Sequence, residues 1–212
     1  MKISIINGSP KTGISARIIS QMGKLLDGRI EIYHAMRLVG AETPKETAAE
    51  ALEAEILLIV FPLYVDSLPA PLIELLTRLE SAARHGTATP KVFTIVNAAF
   101  ESAQTSLALE MIEHFACRAG LPWGYGIGIG KGTMLYNAGD NWEKGLASSV
   151  HRTLSDMAAA INEKRSYRNI YIEPKFPSCL YKAAGNLGFW LEAKRNGVGN
   201  LWARPYTDQG KG

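Results

Sequence analysis

Four residues near the N-terminus, Ser9, Lys11, Thr12 and Ser15, bring three hydroxyls and one cation together within a short stretch. At a turn that leads into a helix, such side chains suit an anion, and a phosphate monoester above all. The reason lies in the backbone behind them. The first N–H groups of a helix have no intrahelical acceptor, and the aligned peptide dipoles favour negative charge at that end. A plainer reading makes Ser15 the helix N-cap and Gly8-Ser9-Pro10 an ordinary connection. The stretch is not a Walker A loop, because the Gly-Lys-Ser/Thr ending is absent. It is not a dinucleotide fingerprint, because the three glycines at Rossmann spacing are missing.

Three further stretches carry groups suited to a flat heterocycle. Pro62-Leu63-Tyr64-Val65-Asp66-Ser67 offers an aromatic ring and backbone amides. Asn97-Ala98-Ala99-Phe100-Glu101-Ser102 offers polar groups for a ring's rim, with Asn97, Ala99 and Glu101 placed to hydrogen-bond it. Gly128-Ile129-Gly130-Lys131-Gly132-Thr133 closes a run in which Gly126, Gly128 and Gly130 alternate, as where a ligand or another backbone approaches closely. Each has a structural alternative: Tyr64 as a half-buried packing residue, Glu101 as the acidic start of a helix, the glycines as sites of tight packing.

The elements that position these stretches emerge from periodicity. Short apolar runs over about 2–7, 29–33, 55–61, 91–96 and 124–130 predict strands, the run from Glu55 to Phe61 being the most hydrophobic and suited to a central parallel strand. Apolar residues at three- and four-residue spacing predict helices over about 15–26, 70–83, 102–119 and 142–165. Thr43-Pro44-Lys45-Glu46 has the form of an N-cap, a first-turn proline and an acidic first turn, and predicts another helix to about Ala54. Strands alternating with helices imply an α/β fold with right-handed crossovers. The expectation is a flavodoxin-like three-layer sandwich, its five-stranded parallel sheet in the order 2-1-3-4-5. Ligands bind such sheets beyond the carboxyl ends of the strands, where all four stretches fall.

Residues 1–165 form the predicted domain, and residues 166–212 a C-terminal arm rather than an independent domain. Leu180, Ala184, Leu187 and Leu191 lie at helical spacing in the arm, with Phe189, Trp190 and Trp202 nearby. These apolar residues need a surface to bury against. The expectation is a second subunit whose arm helps wall the site, in a homodimer. The alternatives are the arm's own domain and, ranked last, a membrane surface.

Composition sets limits. A chain of 212 residues with 47% hydrophobic and 20% charged residues can bury a substantial core. No apolar run reaches membrane-spanning length and no signal peptide is evident, so the cytoplasm is the expected compartment. Charge is uneven, with 14 basic against 16 acidic residues over 1–162 and 9 against 4 over 163–212. The basic excess reads as a solvated face, and no nucleic-acid partner is expected. Cys117 and Cys179 form no C-x-x-C pair, and His34, His85, His114 and His151 lack ligand spacing, so no metal site is expected. No G-x-S-x-G elbow occurs, so the chain shows no obvious nucleophile and no catalytic side chain is assigned. A cofactor that does its own chemistry would fill that gap.

Asn7-Gly8-Ser9-Pro10-Lys11, Pro62-Leu63-Tyr64-Val65-Asp66-Ser67-Leu68-Pro69 and Asn97-Ala98-Ala99-Phe100-Glu101-Ser102 together resemble the NAD(P)H-dependent FMN reductase-like family of flavodoxin-fold proteins. The resemblance implies that Ser9, Lys11, Thr12 and Ser15 hold the FMN phosphate. It implies that Pro62, Leu63, Tyr64, Val65 and Asp66 run along the isoalloxazine, and that Asn97, Ala99, Phe100 and Glu101 meet its pyrimidine side. The first loop is shorter than the family's common form, and the cysteine cluster of related iron–sulfur flavoproteins is missing. The activity implied by the resemblance is that of an FMN-dependent oxidoreductase. It would pass hydride from NADH or NADPH, through the flavin N5, to a flavin, quinone, azo or nitro compound. The alternatives are an FMN electron-transfer protein reduced by a partner protein, and a binding module that has lost the cofactor.

Overall fold

The computed structural model describes residues 1–40 and 44–200. Thr43, the predicted N-cap, and Trp202 of the arm lie outside the described residues. The chain divides into two units, Met1–Lys175 and one that begins at Phe176.

The first unit is built on β1 (Lys2–Asn7), β2 (Arg29–His34), β3 (Ile56–Pro62), β4 (Lys91–Asn97), β5 (Trp123–Ile129) and β6 (Ile170–Ile172). All neighbouring strands are parallel, in the order β2-β1-β3-β4-β5-β6. The predicted order is therefore present, but the sheet has six strands, not five. The sixth, Ile170-Tyr171-Ile172, lies in the stretch predicted as arm. It pairs with Ile127, Gly128 and Ile129 of β5. Three residues are too few for a period of two to register in the sequence.

Central strand β3 is buried along its whole length, as expected for a strand covered on both faces. Its side chains alternate between two cores. Ile56, Leu58 and Val60 join Ile3 and Ile5 against α1 (Ile14–Leu25) and, farther along the chain, the helix Ser148–Asn162. Leu57, Ile59 and Phe61 join Ile6 on the other face. That face is covered by α2 (Ala35–Gly40), α3 (Pro44–Leu52), α4 (Ala70–His85) and α5 (Ser106–Arg118). The short α2 has no counterpart in the sequence prediction. A 3₁₀ turn, Ser102–Thr105, leads into α5, and Gly120 ends it at φ +69°. Leu121 N–H bonds back to Ala116 carbonyl there, a Schellman-type close.

The helix predicted over about 142–165 is shorter than expected. Two 3₁₀ segments, Gly132–Ala138 and Gly145–Ala147, precede α6 (Ser148–Asn162). Trp142 is fully buried in the first core and not helical, and its indole N–H donates to Gly139 carbonyl at 3.1 Å. Helix α1 holds the same segment from outside. The Arg17 guanidinium donates to the carbonyls of Tyr136, at 2.6 Å, and Gly139, and Gln21 Nε2 donates to Asp140 carbonyl at 2.9 Å.

The second unit contains α7 (Ser178–Arg195), with none of its residues buried and Leu180, Leu187, Phe189, Trp190 and Leu191 all exposed. Lys194 Nζ stands 4.1 Å from the centre of the Trp190 ring. No helix among the described residues is long and apolar enough to cross a membrane.

Candidate functional site

Strand register brings the loops together. Pro62 pairs with Asn97 and Asn97 with Ile129, so β3, β4 and β5 end at one level, and β1 ends two residues short of it, where Asn7 pairs with Val60. From β1 the chain runs one way to β2 and the other way to β3, which makes the β1–β3 gap the topological switch point. A cleft of about 220 Å³ opens there.

Nine of the predicted site residues line this cleft: Ser9, Lys11, Thr12, Ser15, Pro62, Leu63, Tyr64, Asn97 and Ala99. Val65, Asp66, Phe100 and Glu101 do not. Five lining residues were not singled out in the sequence as site residues: Gly13, Ile14, Ala98, Thr133 and Tyr136. Among the described residues, no Asp, Glu, His or Cys lines the cleft.

At one end is the start of α1. Gly13, its N-cap, is extended, and no side chain caps the helix. Ser15 is therefore not the N-cap. It is buried in the first turn, and its hydroxyl donates to Asn97 Oδ1 at 2.9 Å, tying the first loop to the third. The first N–H groups of α1 have no acceptor within the helix, and Ile14 and Ser15, which carry two of them, line the cleft. Ser9 shapes the loop before them. Its N–H donates to Asn7 Oδ1 at 3.0 Å, and its hydroxyl donates to Lys11 carbonyl at 2.7 Å. Lys11 and Thr12 are exposed at the same end.

The second loop is a tight turn. Tyr64 and Ser67 exchange both backbone hydrogen bonds at 3.0 Å, and Val65 and Asp66 between them have φ of 49° and 56°. Positive φ at both central positions is the signature of a type I′ turn, which Asn-Gly ordinarily occupies. A β-branched residue at positive φ is a genuine outlier. Val65 is 99% exposed, so no packing explains it. The turn leaves Tyr64 beside the cleft, and Leu63 N–H bonds to Asn97 carbonyl at 2.9 Å.

The third loop is held from below by the fourth. Ala98 N–H bonds to Ile129 carbonyl, Gly132 N–H to Ala98 carbonyl, and Lys131 N–H to Phe100 carbonyl. Lys131 has φ +50° and is buried. Its ammonium lies 2.8 Å from Glu173 Oε2, while Glu173 Oε1 accepts Ser102 N–H at 3.1 Å. Burial pushes the Glu173 carboxyl up, but the Lys131 ammonium and Ser102 N–H outweigh it and hold the group below its ordinary value. Gly130 permits this arrangement: a Cβ there would stand 2.3 Å from Ser102 N and 2.8 Å from Phe100 carbonyl oxygen. Of the two uses read for the alternating glycines, the approach of a neighbouring backbone is the one present at this position.

Among the described residues, no group of three or more His, Cys, Asp or Glu is placed to hold a metal ion. A larger groove, about 660 Å³, is lined by Ala49 of α3 and by Arg78 and His85 of α4. It lies toward the C-terminal end of α4, away from the converging loops.

No family model matches the chain, and no curated protein matches it. Solved structures do. A structure of an NADH:FMN oxidoreductase superposes with a TM-score of 0.58 at 16% identity, covering 78% of this chain and 90% of that one. An NADPH-quinone reductase from P. pentosaceus gives 0.53 at 16% identity, covering 76% and 96%. A flavodoxin of Streptococcus pneumonia gives 0.51 at 12% identity, covering 77% and 99%. With the strand order and the switch-point cleft, these likenesses establish that the chain has the flavodoxin-like α/β fold.

Proposed function

We propose that this chain is an FMN-dependent oxidoreductase that takes hydride from NADH or NADPH and passes it to a flavin, a quinone or a similar small acceptor. The observation that carries the reading is the cleft itself. It joins an uncapped helix start, Lys11 and the hydroxyl residues Ser9, Thr12 and Ser15 to an aromatic-edged slot, at the switch point of a parallel sheet. That end suits the phosphate of a mononucleotide: the free N–H groups of α1, Lys11 and Thr12 supply donors and positive charge, and among the described residues no carboxylate lines the cleft to oppose an anion.

In this reading Ser9 sets the loop's shape through its bond to Lys11 carbonyl. Pro62, Leu63 and Tyr64 flank the ring, and Asn97 and Ala99 meet its polar rim. Bound flavin supplies the hydride chemistry, at N5. The chain supplies position: the Lys131–Glu173 pair and the Ser15–Asn97 bond keep the third loop against the ring. The lack of Asp, Glu, His and Cys among the described lining residues agrees with a site whose reactive group is carried in by the ligand. The reductases that share this fold support the reading, since their names describe NADH:FMN and NADPH-quinone chemistry.

Two measurements test it. Mass spectrometry of cofactor released after reconstitution should give FMN; FAD, or no flavin, rejects the cofactor. Steady-state oxidation of NADH or NADPH with quinone or free flavin should turn over. A flavin-loaded protein that turns over only with a reducing partner protein is an electron carrier instead.

A further inference from the structure

We infer that the Tyr136 hydroxyl is a phosphate ligand at the anion end of the cleft, alongside Lys11 and Thr12; the inference rests on the FMN reading above.

Tyr136 reaches the site from an element that the loop pattern of the sequence does not mark, the 3₁₀ segment after β5. It lines the cleft with Ser9, Lys11, Thr12 and Gly13. Its hydroxyl stands over the helix start: a Cβ built on Gly13, the N-cap of α1, would lie 2.9 Å from Tyr136 Oη. Any side chain at position 13 would therefore meet that hydroxyl, and glycine there leaves the space open. The hydroxyl has no hydrogen-bond partner among the described residues, so its proton is available to a ligand. The ring is about half exposed and not locked into a core.

The segment that carries Tyr136 is nonetheless fixed. Arg17, one turn into α1, donates to Tyr136 carbonyl at 2.6 Å and to Gly139 carbonyl. Buried Trp142 bonds to the same Gly139 carbonyl from the core side. The helix that offers its N-terminus to the anion thus also holds the residue facing it. A phenol donating to a charged oxygen adds a charge-assisted hydrogen bond to those from the backbone.

The test is a fluorescence titration of the full chain and of Tyr136→Phe, each with FMN and with riboflavin, which lacks the phosphate. Tyr136→Phe keeps the ring and removes only the donor. FMN affinity should fall about tenfold or more, the effect of losing one hydrogen bond to a charged group, with riboflavin affinity unchanged. The preference for FMN over riboflavin therefore falls by the same factor. An unchanged preference, whether both affinities stay or both fall together, overturns the inference. Wild-type chain that binds neither flavin overturns the FMN reading itself, and this assignment with it.

Discussion

The Lys131–Glu173 pair should be worth more than its place near the surface suggests. Lys131→Met removes the cation and keeps the length of the side chain. The variant retains a carboxylate 27% exposed, with Ser102 N–H as one remaining donor, where the side chain of Lys131 was 5% exposed. Stranding one member of a fully buried pair costs about 3–5 kcal/mol. Glu173 keeps part of its hydration, so about 2–3 kcal/mol is expected here. In a unit of this size that lowers Tm by about 5–10 °C. Urea unfolding followed by circular dichroism measures it, as a lower midpoint with unchanged slope. The double variant Lys131→Met/Glu173→Gln should recover part of the loss, because Gln still accepts Ser102 N–H and no lone charge is left. The pair also sets a pH dependence. A carboxyl held below its ordinary value of 4.5 stabilises the folded chain above that value and loses the contribution as pH falls through the folded one. Wild type should therefore lose more stability than Glu173→Gln as pH drops from about 5 toward 3. A cost under about 0.5 kcal/mol for Lys131→Met, the range of an exposed pair, would refute the reasoning.

Three other outcomes are expected from the same geometry. Lys11→Ala and Ser9→Ala should each weaken FMN binding roughly ten- to a hundredfold, Lys11 through lost charge and Ser9 through the loop bond to Lys11 carbonyl; unchanged affinity in both moves the phosphate elsewhere. Val65→Asn places at φ +49° a residue that tolerates this region, and with no packing to lose it should stabilise by about 1 kcal/mol; a lower Tm rejects the strain. If the C-terminal arm packs on a second subunit, the full chain is a dimer by analytical ultracentrifugation and a chain ending at Lys175 is a monomer; a monomeric full chain, or a truncated chain that remains dimeric, rejects the arm's role.

Much of the frame was legible because it rests on long, periodic stretches. The run from Glu55 to Phe61 is apolar on both faces, and it became the fully buried β3. The order 2-1-3-4-5 came from alternating strands and helices, and the loop cluster came from that order. The misses share a different cause. Strand β6 is three residues long, and α2 six, too short for either period to emerge. The turn at Tyr64–Ser67 lacks the Asn-Gly that marks its type, and Lys131 sits at positive φ where glycine was the residue to look for. Tyr136 lies in a 3₁₀ segment whose apolar residues have neither period. Trp142 falls at the start of a predicted helix but is not helical, because its burial and its bond to Gly139 depend on the tertiary fold rather than on local sequence.

The most direct test of the central claim is the visible spectrum of the reconstituted protein before and after anaerobic addition of NADH or NADPH. The predicted result is a flavin spectrum that bleaches on addition and returns when quinone is supplied. A protein that remains colourless after incubation with FMN contradicts the claim.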